Sequence, residues 1–357
     1  MIIKTQFQIP FYQYLNQDGE LSSSAPELKD TDIIKYFRIM TLTNIFDKKA
    51  IALQRTGKMG TYAPINGQEA VGAAIGMTLD KDDVFVPYYR DYAALYQRKV
   101  RLADILTFWG GDETSMTYSF QAHDFPFCVP IASQCLHAAG IAQALKYKKT
   151  SNIALCTIGD GGTSEGDFYE ALNVAGAWNL PIVFVILNNK WAISVPLEQQ
   201  THCETLAQKA IAAGFQGVQV DGNDVFALHH VLQEAISKAR DNLGPTLIEA
   251  ITYRLSDHTT ADDASRYQPK NQTEEAKKFT PLERLKTYLL QENILTNNDI
   301  NQITNDCTQE IEEQVNLYLG RKLPTIEQAF DFHFATLPDY LIEQRAEALE
   351  EFYRAND

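Results

Sequence analysis

Gly159-Asp160-Gly161-Gly162-Thr163-Ser164-Glu165-Gly166 is the stretch on which the fold turns. Before it runs Ile153-Ala154-Leu155-Cys156-Thr157-Ile158, an apolar run of buried-strand length. After it, Phe168, Ala171, Leu172 and Ala175 recur at i, i+3, i+4 and i+7, which predicts a helix from about Asp167. A strand, a glycine-rich turn and a helix therefore follow one another. Glycines let the backbone approach an anion closely, and a helix N-terminus offers free N–H groups to a phosphate. Taken alone, the same turn is equally well a tight connection that binds nothing.

The next predicted strand, Ile182 to Leu187, runs directly into Asn188-Asn189-Lys190-Trp191. Asp83 to Pro87, Gly217 to Val220 and Thr246 to Ile251 read as further strands. Val225, Leu228, Val231, Leu232, Ala235 and Ala239 make a helical stripe between the last two. This alternation predicts an α/β fold with a mostly parallel central sheet and helices on both faces, and ligands in such sheets sit at the carboxyl ends of the strands. Asp160 and Asn189 both occupy such ends, so they converge if their strands are neighbours. A hard cation such as Mg²⁺ wants oxygen ligands and few protein groups. A carboxylate, an amide oxygen, a carbonyl near Trp191 and two diphosphate oxygens would satisfy it. The pattern is neither a Walker loop nor a dinucleotide fingerprint.

Around this centre the chain divides into an extended polar arm over 1–29, the α/β domain over 30–280 and a charged helical extension over 281–357. The arm is expected to pack on another surface. The periodicity of Ile33, Tyr36, Phe37, Met40 and Leu42 predicts a helix over Asp30 to Arg55, with Asp30 or Thr31 as N-cap. The 357 residues are 45% hydrophobic, enough for a full core, and carry a formal charge of −15. No basic patch interrupts that charge, which argues against nucleic acid as a partner. Five scattered cysteines suggest neither a zinc site nor a disulfide framework. Leu180 to Leu187, the longest apolar run in the middle of the chain, falls far short of the ~18 residues of a membrane span. The first residues resemble neither a signal peptide nor a presequence, so a cytoplasmic protein is expected.

Gly159 to Glu170 and Asn188-Asn189-Lys190-Trp191-Ala192-Ile193-Ser194 resemble the alpha subunits of the thiamine-diphosphate-dependent 2-oxo acid dehydrogenases, the pyruvate and branched-chain enzymes. The likeness extends to Arg55-Thr56-Gly57-Lys58, Gly67-Gln68-Glu69-Ala70, Tyr88-Tyr89-Arg90-Asp91, Val220 to Val225 and Tyr253 to Asp263, in the same order, over about residues 28–345. It implies the thiamine-diphosphate-binding fold, with thiamine diphosphate and Mg²⁺ as cofactors. Asp160, Asn189 and the carbonyl of Trp191 would hold the metal. Tyr89, Arg90 and the turn Gly159, Gly161 and Gly162 would bind the diphosphate, Ile131 would meet the aminopyrimidine through its backbone, and His258 would lie near diphosphate and substrate as a catalytic group. The implied reaction is oxidative decarboxylation of a 2-oxo acid with transfer of the acyl group to a lipoyl arm. The implied partners are a beta subunit, in an α₂β₂ assembly, and a lipoyl-bearing acyltransferase core. The beta subunit would bring the glutamate that activates the cofactor, although Glu69 is a candidate carboxylate in this chain.

Apart from the resemblance, these residues have plainer readings. Arg90 beside Asp91 could be a surface ion pair, Asn189 a turn former and His258 a solvated loop histidine. Some positions depart from the family. Gly110 to His123 is acidic and short, Leu187 replaces a polar residue, Val129 stands where some relatives have serine, and Thr61 where they often have phenylalanine. Thr61 and Val129 suggest a roomy apolar pocket that admits pyruvate and branched substrates alike, with pyruvate favoured. An acetoin dehydrogenase subunit and a non-catalytic scaffold homologue are the other readings of the same motifs.

Overall fold

The computed structural model describes residues 4–117, 123–331 and 333–356; Tyr118 to Ala122, part of the acidic segment noted above, lie outside it. The strands are β1 (Phe11–Tyr12), β2 (Val84–Val86), β3 (Ala154–Gly159), β4 (Ile182–Asn188), β5 (Trp191–Ala192), β6 (Val195–Pro196), β7 (Gln216–Asp221) and β8 (Thr246–Ile251). Six of them form one sheet in the order β1-β7-β8-β4-β3-β2, every pairing parallel, while β5 and β6 make a separate antiparallel hairpin. The expected α/β architecture is thus the observed one.

The long apolar runs arise because both faces of the sheet are covered. Along β4, Ile182, Phe184 and Ile186 join one core layer, and Val183, Val185 and Leu187 join the other. The first layer is completed by the helices Ser133–Tyr147 and Gly166–Ala177, and the second by Glu69–Thr78 and Val225–Arg240.

Part of the arm packs on the chain's own sheet. Phe11 and Tyr12 extend the sheet beside Gln219 and Val220, and Gln219 N donates to Pro10 O at 2.9 Å. The backbone N–H groups of Tyr14 and Leu15 donate to Asp224 Oδ2 at 2.6 and 2.8 Å. The same carboxylate caps the helix Val225–Arg240 by accepting from Phe226 N and Ala227 N. Helix Asp30–Arg55 has the expected span, but its N-cap is Lys29 rather than Asp30 or Thr31. Asp30 and Asp32 lie in its first turn, where their charge favours the positive end of the helix dipole. Beyond residue 280 the helices Pro281–Gln291 and Asn297–Leu319 return to this long helix, burying Leu285, Cys307, Ile311 and Tyr318. No described helix is long and apolar enough to cross a membrane.

Candidate functional site

β3 and β4 are direct neighbours, with Gly159 opposite Leu187, so both strands end at one level. Asp160 leaves the first and Asn189 the second, and both are buried. Asn189 is fixed on both sides: its Nδ2 donates to Gln68 Oε1 at 3.1 Å, and its Oδ1 accepts from Trp191 N at 3.1 Å. Asp160 Oδ2 accepts from Gln200 Nε2 at 3.1 Å. Burial raises the Asp160 carboxyl above its ordinary range, since few groups offset the loss of water.

The glycines are required by shape. A Cβ on Gly161 would stand 2.6 Å from Ala192 Cβ, and one on Gly162 would stand 2.7 Å from Ile158 Cγ1. The facing loops carry their own strain. Ala132, Lys190 and Ile193 have φ of 63°, 73° and 55°, a region that a branched residue such as Ile193 occupies only under constraint. The β5–β6 hairpin they shape brings Trp191 in. Its carbonyl accepts from Arg254 Nη1 at 3.2 Å, leaving a second lone pair.

Arg90 is not a surface residue. It is 4% exposed, and its guanidinium donates to Pro64 O, to His258 O at 2.7 Å and to His258 Nδ1 at 3.1 Å. Asp91 turns away, accepting from Tyr88 N at 3.0 Å and from the Thr157 hydroxyl on β3, which anchors the turn that presents Tyr89 and Arg90. Because Arg90 occupies Nδ1 as a donor, the His258 proton belongs on Nε2. Burial, with Arg90 and Arg254 beside it, pushes His258 down to about 3. Its loop is tied by hydrogen bonds. Asp262 Oδ2 accepts from His258 N at 2.9 Å and from the Tyr267 hydroxyl, while Thr260 exchanges hydrogen bonds with the Tyr62 backbone at 2.8 and 3.0 Å.

These elements enclose a cavity of about 220 Å³. Tyr89, Arg90, Ile131, Gly159, Asp160, Gly161, Gly162, Asn189, Trp191 and His258 all line it. A second cavity of about 400 Å³ shares Tyr89, Val129, Pro130, Ile131 and His258 with it and adds Thr61, Trp109 and Thr259. Two expectations do not lead here. Glu69 is buried elsewhere, accepting from Asn44 Nδ2 at 2.9 Å and Gly67 N at 3.0 Å. The Leu187 side chain belongs to the core. Sequence reasoning gave no role to Gln68, Gln134 and Gln200, whose positions beside Asn189, in the wall and beside Asp160 depend on chain segments distant in sequence. Each keeps one buried polar atom without a partner, as does the Tyr88 hydroxyl on the cavity wall.

The cations are distributed unevenly. Arg90, Arg98, Lys209, Arg254 and Arg284 are the buried ones. Arg98 pairs with Asp124, and Arg284 with Asp221 at 2.6 Å. Arg90, Arg254 and Lys209, all on or directly behind the cavity wall, form no ion pair among the described residues. No group of three or more His, Cys, Asp or Glu side chains among those residues could hold a metal. A cation here would rely on one carboxylate, an amide and a carbonyl, and on oxygens of a bound ligand.

A model of the dehydrogenase E1 component family matches residues 37–326. The chain is similar to the pyruvate dehydrogenase E1 component subunit alpha of Acholeplasma laidlawii, 38% identical over 338 residues, covering 93% of this chain and 97% of the relative. The subunit of the same name from Mycoplasma pneumoniae is 35% identical over 354 residues, 99% of each chain. That of Staphylococcus epidermidis is 35% identical over 351 residues, 96% of this chain and 93% of its own.

Proposed function

The chain belongs to the dehydrogenase E1 component family, and from that premise we propose that it is the alpha subunit of a pyruvate dehydrogenase that binds thiamine diphosphate and Mg²⁺ in the smaller cavity. The observation that carries this reading is the set of three buried cations without carboxylate partners around a glycine cradle that no side chain could share. A buried charge is normally paired, so an anionic ligand is the missing partner, and a diphosphate fits. Arg90 and Tyr89 bind it from one wall, and the glycine turn from the other. Asp160, Asn189 and the free lone pair of the Trp191 carbonyl would hold the metal. That placement explains why Asp160 is kept buried with only Gln200 as a side-chain partner.

Bound there, thiamine diphosphate supplies the carbanion-stabilising chemistry that decarboxylation of a 2-oxo acid needs. His258 borders both cavities and offers a neutral Nε2–H to the reacting group, its orientation set by Arg90 and Asp262. The larger cavity receives the substrate side chain. Among the described residues, Asp160 and Glu165 are the carboxyl-bearing ones on the smaller cavity's wall. The first is committed to the metal and the second sits on the glycine turn, so the activating carboxylate comes from a beta subunit. The exposed Val129, Ile131, Ile193 and Val195 at the rim are the apolar surface such a subunit would cover. A lipoyl-bearing acyltransferase core would be the acceptor of the acyl group.

A second substrate reading rests on one observation. Thr61 and Val129 both line the larger cavity, where a bulkier residue would narrow it. A methylene there is worth only about 1–3 kcal/mol, so 3-methyl-2-oxobutanoate should be accepted beside pyruvate.

Asp160→Ala tests the assignment in the assembled alpha–beta enzyme. Calorimetry should show loss of Mg²⁺-dependent thiamine diphosphate binding in a protein that still folds and assembles. Parallel turnover of wild type on pyruvate, 3-methyl-2-oxobutanoate and acetoin, with an artificial electron acceptor, reads the substrate. Unchanged cofactor affinity in the variant would sink the site.

A further inference from the structure

Lys209 is 6% exposed, and no carboxylate among the described residues lies within ion-pair distance of it. Its ammonium donates to Thr163 O at 2.7 Å and Thr163 Oγ1 at 3.0 Å, and it sits 5.0 Å from the centre of the Tyr169 ring. Thr163 belongs to the short turn Gly161–Ser164, and its hydroxyl donates in turn to Asp160 O at 2.7 Å. Lys209 itself does not line the cavity. It stands behind the glycine turn, and a chain of two hydrogen bonds runs from it to the backbone of the residue that faces the metal position.

A merely structural anchor at this place would not need charge. A neutral donor could satisfy Thr163, whereas burying an ammonium costs free energy unless some negative charge repays it. Cation–π contact with Tyr169 repays part. The remaining candidate is an anion on the far side of the turn. An ammonium hydrogen-bonded to a carbonyl also polarises that peptide and strengthens its N–H as a donor.

We propose that Lys209 is a positioning residue for the diphosphate: acting through Thr163, its charge fixes and polarises the glycine turn and selects a diphosphate over a monophosphate ester. This rests on the thiamine diphosphate reading above. Thr163 stiffens the turn, Tyr169 holds the ammonium from its other side, and the ligand's second phosphoryl group supplies the negative charge that the protein omits.

The test uses the assembled alpha–beta enzyme with Lys209→Met, which keeps the length and loses the charge, and Lys209→Arg, which keeps the charge. Calorimetry with Mg²⁺ measures the dissociation constants of thiamine diphosphate and thiamine monophosphate. Lys209→Met should weaken the diphosphate roughly tenfold or more and the monophosphate far less, in line with the loss of a buried charge-assisted contact. The apparent KM for cofactor should rise by the same factor, with kcat at saturating cofactor within about twofold of wild type. Lys209→Arg should recover most of the affinity. If the methionine variant fails to assemble, Lys209→Gln serves in its place. Equal weakening of both ligands, unchanged affinity, or an arginine variant as poor as the neutral one would overturn the proposal. Wild type that binds no thiamine diphosphate would remove the cofactor reading proposed above, and this inference with it.

Discussion

His258 offers a prediction whose size follows from its surroundings. Burial first, then Arg90 and Arg254, hold its folded value at about 3, with Asp262 opposing them. The unfolded chain returns it to about 6.5. Between pH 7.5 and 5 the folded histidine stays neutral while the unfolded one takes up a proton, so the unfolded state gains. Stability from this group is therefore complete above pH 6.5 and is lost as the pH falls. Linkage puts the loss at about 2 kcal/mol between pH 7.5 and 5, a figure that scarcely depends on where below 4 the folded value lies. His258→Asn places an amide oxygen near Nδ1, where it can accept from Arg90, and has nothing to titrate. Asp47 and Asp91, each raised to about 7 by burial, act the other way and gain stability as the pH falls. They are common to both proteins, so their effect cancels in the difference. Urea unfolding of the two proteins at pH 7.5 and 5 should show wild type losing about 2 kcal/mol more than the variant. Parallel pH dependence would refute the neutral, arginine-flanked histidine on which its donor role depends.

Gly161→Ala forces a methyl group against Ala192, 2.6 Å away, and must displace the hairpin that carries Trp191. It should cost about 1–3 kcal/mol by denaturant unfolding and weaken Mg²⁺–thiamine diphosphate in calorimetry, and an unaffected dissociation constant would speak against the cradle. Asp124→Ala removes the buried partner of Arg98 and the acceptor for Phe85 N at 2.9 Å, which together hold edge strand β2. A loss of about 3–5 kcal/mol is expected, and less than 1 kcal/mol in urea unfolding would show the pair to be dispensable.

The sheet was readable because its strands announce themselves. β3, β4 and β8 are short apolar runs ended by polar turns, and the stripe of Val225–Arg240 has a clear helical period. Helices Glu69–Thr78 and Ser133–Tyr147 were not read. The first is buried over most of its surface, so it shows no polar face for a periodicity to reveal. β1 escaped for the opposite reason: two residues on a sheet edge carry no pattern at all, and their pairing depends on β7, more than 200 residues away. In the site, residues at strand ends were legible through position alone, Asp160 and Asn189 above all. Glu69 was a candidate carboxylate in sequence, but its side chain accepts from Asn44 and Gly67. Lys209 was invisible, since the residue it serves is 46 positions earlier in the chain.

The charge of the whole chain and the charge of the site oppose each other, and distance decides between them. A net −15 repels an anionic cofactor, but exposed charges act through water and salt, whose screening length is about 8 Å at physiological ionic strength. Arg90, Arg254 and Lys209 act instead from a dry interior, where the same charge is felt several times more strongly. The arrangement also accounts for the burial of Asp160 in the cavity wall. Asp160 would cancel one of these cations if it paired with it, yet its side-chain hydrogen bond comes from a neutral Gln200. On the proposed thiamine diphosphate reading, the cations would thereby be left for the diphosphate and the carboxylate for the metal. Both ligands are then needed together, because either alone would leave a buried charge uncompensated. Cofactor and cation should accordingly bind as one unit, each raising the affinity for the other by the same factor.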